Sequence, residues 1–305
     1  MIFCLAAKYA KFPRNIMGTN HQKNCKFASF TIYMSANTSI TEKNYRKLII
    51  RAGLEGFSFA VKDTLNNQIL SFETVDFSGY PRTHKVEEHY WKAFLEYREL
   101  TKIYDEVVVL HDNSLNTFVP SALFDEAYAG SYLQYNTKVF ESDFFTFDSI
   151  ESPEIKNVYV PYVNINNFLI DQFGPFEYRH VSTVLVSRLL DLSKNVDEKQ
   201  VFVHFENKCF QIVVVQNRKL LLFNSFEFQN AADFIYYLLF TAEQLNLNPE
   251  SFRLQLLGAI IEDSELLRIA YKYVRYVSLL ETTALTFQND FSHDQNLQHF
   301  ILLQS

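Results

Sequence analysis

Apolar residues recur along this chain in two matching series. Leu48-Ile-Ile-Arg-Ala-Gly-Leu-Glu-Gly-Phe-Ser-Phe-Ala-Val61 predicts a strand, a tight turn over Gly53–Gly56 and a second strand. A turn at Asn66-Asn67 leads to a third strand, 68–77, with Ile69, Phe72, Val75 and Phe77 apolar. The shape returns over Val201–Val215, a turn at Gln216–Arg218, and a strand from Lys219 to Phe228. Leu48 aligns with Val201, Phe57 with Phe210, and Phe72 with Phe223 after an adjustment in the turn.

The segments after each trio repeat as well. His84–Lys102 sets Val86, Tyr90, Ala93, Phe94, Tyr97 and Leu100 on one helical face, and Ala231–Leu245 does so with Phe234, Ile235, Leu238, Leu239, Ala242 and Leu245. Glu106–Leu110 and Arg253–Leu257 then read as buried parallel strands. Helices at Ser121–Tyr132 and Ser264–Tyr273 complete each series, with Ser121 and Asp263 as expected N-caps. Each half thus reads β-β-β-α-β-α, a mixed sheet with helices on both faces. Between the halves, Asn157–Tyr162 and Glu177–Val181 are expected strands, Asn164–Gln172 and Thr183–Leu192 expected helices. Val277–Glu281 and Gln298–Leu303 are expected strands, the second pairing back onto the sheet.

The chain has 305 residues, 48% hydrophobic and 21% charged, which supports packed cores and excludes wholesale disorder. Residues 1–33 stand apart. They carry Lys8, Lys11, Arg14, Lys23 and Lys26 and no acidic residue, leaving 23 basic against 35 acidic groups, a net charge of −12, over residues 34–305. This segment shows neither periodicity nor a signal-peptide pattern, and is expected to be a disordered extension read from an upstream start. The alternative is a basic arm for an acidic partner. Residues 34–155 are assigned to the first half and 156–305 to the second, connecting segment included.

The overall net charge of −7 argues against a nucleic-acid partner. Three cysteines (Cys4, Cys25, Cys209) fit neither a disulfide framework nor a zinc site, which points to a reducing cytoplasm. No run reaches the roughly 18 apolar residues of a membrane span. Phe234–Ala242, the longest, sits between Asp233 and Glu243 and reads as a buried helix.

A hairpin-bearing sheet duplicated in tandem, with strand–helix–strand–helix before the second copy, resembles the actin-like ATPase fold, a duplicated ribonuclease-H-like fold. It implies two mixed five-stranded sheets with flanking helices and a cleft between the halves. Asn157–Val215 is similar to the corresponding region of bacterial actin-like proteins of cell division and pilus assembly. The Arg-Ala-Gly-Leu-Glu-Gly-Phe-Ser-Phe stretch of Leu48–Val61 resembles an uncharacterised bacterial family, domain-of-unknown-function family 3822, over about residues 40–305. That family supplies no activity to inherit.

The actin-like resemblance implies a nucleotide between the halves. Turn amides after each first strand would wrap its phosphates, glycine allowing close approach, and an Asp ending each strand would orient metal-bound water. Here the first Asp-x-Gly position reads Arg51-Ala52-Gly53 and the second His204-Phe205-Glu206. The connecting segment reads Arg179-His180-Val181-Ser182, and the final Gly-rich turn keeps only Gly258 of Leu256-Leu257-Gly258-Ala259. Magnesium wants hard oxygen ligands, which neither Arg51 nor His204 supplies. Each lost electrostatic group costs about 2.7–4 kcal/mol of barrier.

The expectation is therefore a non-enzymatic scaffold or protein-interaction module with no cofactor, whose partner is another protein. The alternative is a nucleotide- or anion-binding switch, with ATP or another anion held at Arg51, Gly53, Gly56 and Gly258. Against that switch, Arg51 is expected to pair with Glu55 or an acid across the cleft. A third class, an enzyme working through His111, Asp112 and His204, meets the objection that adjacent strand residues point to opposite faces. His204 and Glu206 share a face but lack a third metal ligand, and Cys209 reads as an inert core thiol.

Overall fold

The computed structural model describes residues 43–79, 85–140, 142–152, 154–281 and 289–305. The basic segment 1–33 and the expected helix start at His84 lie outside them. The first half opens with β1 (Arg46–Ala52), β2 (Gly56–Asp63), β3 (Gln68–Asp76), α1 (Val86–Glu96) and β4 (Glu106–His111). An insertion comes next: β5 (Asn116–Pro120), two 3-10 turns, α2 (Ala129–Leu133), β6 (Thr146–Glu151) and β7 (Glu154–Tyr159). Then come α3 (Val163–Phe173), β8 (Glu177–His180) and α4 (Val181–Leu192). The second half runs β9 (Gln200–Phe205), β10 (Cys209–Gln216), β11 (Lys219–Glu227), α5 (Ala231–Gln244), β12 (Arg253–Gly258), α6 (Glu265–Tyr273), β13 (Tyr276–Leu279), α7 (His293–Gln298) and α8 (Phe300–Leu303).

Two five-stranded sheets share one strand order, β3-β2-β1-β4-β8 and β11-β10-β9-β12-β13, and the insertion forms a third, β5-β7-β6. The repeat read from the sequence is also a repeat of register. Ala52 lies opposite Phe57 as Phe205 lies opposite Phe210, and Phe72 faces Ala60 as Phe223 faces Val213. Each middle strand carries its irregularity at the same place, between Val61 and Lys62 and between Val214 and Val215. In both sheets the first strand pairs parallel with the fourth, burying Val108–Leu110 and Leu254, Leu256 and Leu257.

Helices and sheets stack in five layers. The outer face of the first sheet (Leu48, Ile50, Phe57, Phe59) packs on Tyr90 and Phe94 of α1 and Leu169 of α3. The outer face of the second (Val203, Phe210, Leu256) packs on Phe234 and Leu238 of α5 and Ala270 of α6. Between the two inner faces lies a single core: Ile49, Leu110, Phe202, Val213 and Leu257 close around α4 and the buried Phe300–Leu303. The Arg188 guanidinium donates from Nε and Nη2 to the Gln304 carbonyl (3.1 and 2.8 Å), tying the C-terminal turn to α4. Phe72 on β3 is covered by His299 and Phe291 (ring centroids 4.0 and 6.1 Å), and Phe223 on β11 by Phe118 of the insertion (4.8 Å).

Several local readings change. Gln298–Leu303 is helical, because a short apolar run buried on all sides has no polar phase to mark its period. Ser121–Tyr132 is no counterpart of α6: the Asp125 side chain caps Ala127, and 3-10 turns at Ser121–Leu123 and Glu126–Tyr128 precede the short α2. The cap of α6 is Ser264, which accepts from the Leu267 N–H (3.2 Å), rather than Asp263. β8 hydrogen-bonds to β4, so the first sheet extends to His180 rather than ending near residue 155.

Candidate functional site

The two hairpin turns after β1 and β9 face each other where the strand ends of both sheets meet. Arg51, near the end of β1, sends its guanidinium between two carboxylates. Nε donates to Asp112 Oδ2 (2.8 Å) just beyond β4, and Nη2 donates to Glu206 Oε1 (2.7 Å) in the other half. These side chains are only 17%, 27% and 21% exposed, so the triad is screened from bulk water. Burial by itself would favour a neutral Arg51, but Asp112 and Glu206 reverse that and hold it charged. Burial also raises the Asp112 carboxyl above its ordinary range, with Arg51 opposing. For Glu206 the burial effect is outweighed by the Arg51 charge, and its pKa falls below the ordinary value. Outside the triad, Lys208 bridges to Glu55 across the same gap (3.1 Å) in full solvent contact.

The glycines near this site answer to neighbouring backbone. The Gly53 N–H donates to Gly56 O (3.1 Å) and to Tyr90 Oη (3.1 Å), while the Tyr90 hydroxyl donates back to Gly53 O (3.0 Å). A Cβ on Gly53 would lie 2.9 Å from Gly56 O, and one on Gly56 would overlap the Val75 carbonyl. Gly258 sits opposite Phe205 in the β9–β12 register at φ +89°, where a Cβ would come within 2.8 Å of Phe205 N and overlap its carbonyl. Arg51, Gly53 and Gly56 thus belong to one hairpin, and Gly258 to the facing sheet.

His111, His180 and His204 are held neutral by burial. His111 and Asp112 point apart: Asp112 meets Arg51, whereas His111 Nδ1 accepts from the Tyr162 N–H (3.2 Å) within a cage of Tyr159, Tyr162 and Tyr178. Burial pushes the His111 pKa down to about 4. His180 caps α4 by accepting from the Ser182 N–H (3.1 Å) and donates from Nε2 to the Asn113 carbonyl (3.1 Å), and burial lowers it to about 3. His204 donates from Nδ1 to Gln211 Oε1 (2.6 Å), leaving Glu206 Oε1 at 3.9 Å. The Cys209 thiol donates to Glu206 Oε2 (3.4 Å), and burial followed by that carboxylate raises it to about 12, too high for a nucleophile. Among the described residues, no group of three or more His, Cys, Asp or Glu side chains could hold a metal ion.

A family model described as "Protein of unknown function (DUF3822)" matches residues 35–277. The chain belongs to the DUF3822 family. A comparison with curated proteins finds no match. A Bacteroides thetaiotaomicron protein of actin-like ATPase fold and unknown function is 24% identical, with 79% of this chain and 93% of that one covered at a TM-score of 0.69. The PilM–PilN type IV pilus biogenesis complex contains a chain 11% identical, with 85% and 96% covered at a TM-score of 0.58. The DUF3822 protein therefore has the actin-like ATPase fold. None of its described helices is long and apolar enough to cross a membrane.

The sequence brings Arg51, His204 and Glu206 to notice through the repeat, and names an acid across the cleft as a partner of Arg51. It does not single out Tyr90 or Lys208. Tyr90 has a readable signal, because it packs on Phe57 as Phe234 packs on the equivalent Phe210. A tyrosine where the other copy has phenylalanine places a hydroxyl in a buried position that asks for a partner.

Proposed function

We propose that this DUF3822 protein is a non-enzymatic protein-interaction module, an actin-like fold whose nucleotide position is filled by its own side chains. The observation that carries this reading is the Arg51 guanidinium bonded to Asp112 on one side and Glu206 on the other. A magnesium–nucleotide complex does not fit these residues. Its phosphates would meet two carboxylates against one guanidinium, and the Gly53 amide that would cradle them is taken by Tyr90 and Gly56. Asp112 and Glu206 offer hard oxygens, but Arg51 stands between them. Arg51 has both partners supplied internally, which also weakens the case for an anion switch at Gly53, Gly56 and Gly258.

A protein partner is supported by the PilM likeness, since that chain is seen in complex with PilN. Large apolar side chains on outer helices add to it: Trp91 and Leu95 on α1, Tyr236 and Phe240 on α5 are all about half exposed or more. Titration calorimetry with ATP and ADP, each with magnesium, is expected to give only heats of dilution. Binding at micromolar affinity would overturn the scaffold reading in favour of the switch. Affinity purification from the native cell, then mass spectrometry, names the partner.

A further inference from the structure

We infer that Arg51 is a built-in clamp, a side chain that does the cleft-closing work a bound ligand does in a hinged two-part protein. Closure around a ligand holds two bodies together because the ligand touches both. Here one guanidinium touches both. Asp112 belongs to the same half as Arg51 and sets the plane of the fork, and it is itself fixed: its N–H donates to Ala52 O (2.9 Å) and its carbonyl accepts from the Tyr162 hydroxyl (2.7 Å). The Nη2 arm of the fork is presented to Glu206, whose N–H donates to Cys209 O (2.8 Å) and whose second carboxylate oxygen accepts from the Cys209 thiol. Donor and acceptor are therefore both oriented before they meet, the condition under which a planar guanidinium pair is worth most.

The outer bridge between the same turns does not compete. Lys208 and Glu55 are 76% and 85% exposed, where screening leaves an ion pair little strength. The shared core lies beneath the turns, around α4 and α8, and holds the halves at their base. Arg51–Glu206 holds them at the mouth. The surface made by both tips, Leu54, Glu55 and Lys208 included, then exists as a standing feature that needs no ligand to assemble it. The clamp rests on the reading of a nucleotide-free cleft.

Hydrogen–deuterium exchange on the full chain without nucleotide tests the clamp, while calorimetry with ATP and ADP tests the ligand question separately. The variants are Arg51→Met, which keeps bulk and loses charge, and Glu206→Gln, which keeps shape and a carbonyl acceptor. Amides of 53–56 and of 206–209 are expected to exchange on the order of tenfold faster in both variants, with α4 and α8 unchanged. Arg51→Lys, which cannot reach both carboxylates as a fork, is expected to fall between. Turn exchange identical to wild type in the Glu206→Gln protein overturns the clamp. That variant decides the matter by itself if Arg51→Met does not fold.

Discussion

His111 and His180 end the neighbouring parallel strands β4 and β8, and both are sealed from solvent. Their folded-state pKa values, lowered by burial to about 4 and about 3, lie below the roughly 6.5 of an unfolded histidine. The unfolded chain therefore binds these protons first as pH falls. The stability these residues contribute is whole above about pH 6.5 and drains away toward pH 4, at about 1.4 kcal/mol per pH unit for each histidine. The raised carboxyls of Asp112 and Asp148 pull the opposite way, and they cancel when a single-histidine variant is compared with wild type. His111→Gln is expected to lose on the order of 2 kcal/mol less than wild type between pH 7 and 4.5, read by urea denaturation at each pH. Equal losses in the two proteins would show that His111 titrates normally. At this scale the repeat made Arg51 and Glu206 legible, since both break a pattern. The tie between them was not, because residues so far apart in sequence meet only once the two sheets are packed.

Secondary-structure elements divide by how much solvent they meet. Helices with one exposed stripe announced themselves by period, as α5 does, and β2, buried on both faces, by a largely apolar run between turn residues. α8 has no such stripe: Phe300–Leu303 are all buried between the sheets, so its four apolar residues gave no phase. β5 and β6 escaped for the opposite reason, being short, mostly half-exposed strands of a small sheet. The burial of α8 carries a stability consequence. Leu302 is 1% exposed in the core that both halves share, and Leu302→Ala is expected to cost about 2–5 kcal/mol in urea unfolding. A loss under about 0.5 kcal/mol, the range of an ordinary surface change, would mean that α8 is not packed into that core.

For the whole molecule, the duplication and its architecture could be read from the chain, because two copies of one pattern support each other. How the copies join could not. The join is a common middle layer of α4, α7 and α8, which gives neither half an apolar core of its own on that side. Unfolding is therefore expected to be one cooperative event despite the two sheets. Trp91, the single tryptophan, lies on α1 of the first half, so its fluorescence reports that half while far-UV circular dichroism reports both. Coincident urea transitions are expected, and a fluorescence midpoint separated from the dichroism midpoint would show independent halves.

The two aromatic lids point to something about ancestry. Phe72 is roofed by the chain's last segment and Phe223 by the insertion, so equivalent walls are finished with unlike pieces. Each wall is finished by the opposite half: the insertion of the first covers Phe223, and the C-terminal segment of the second covers Phe72. The copies have become a left and a right hand, and neither can any longer stand in for its twin.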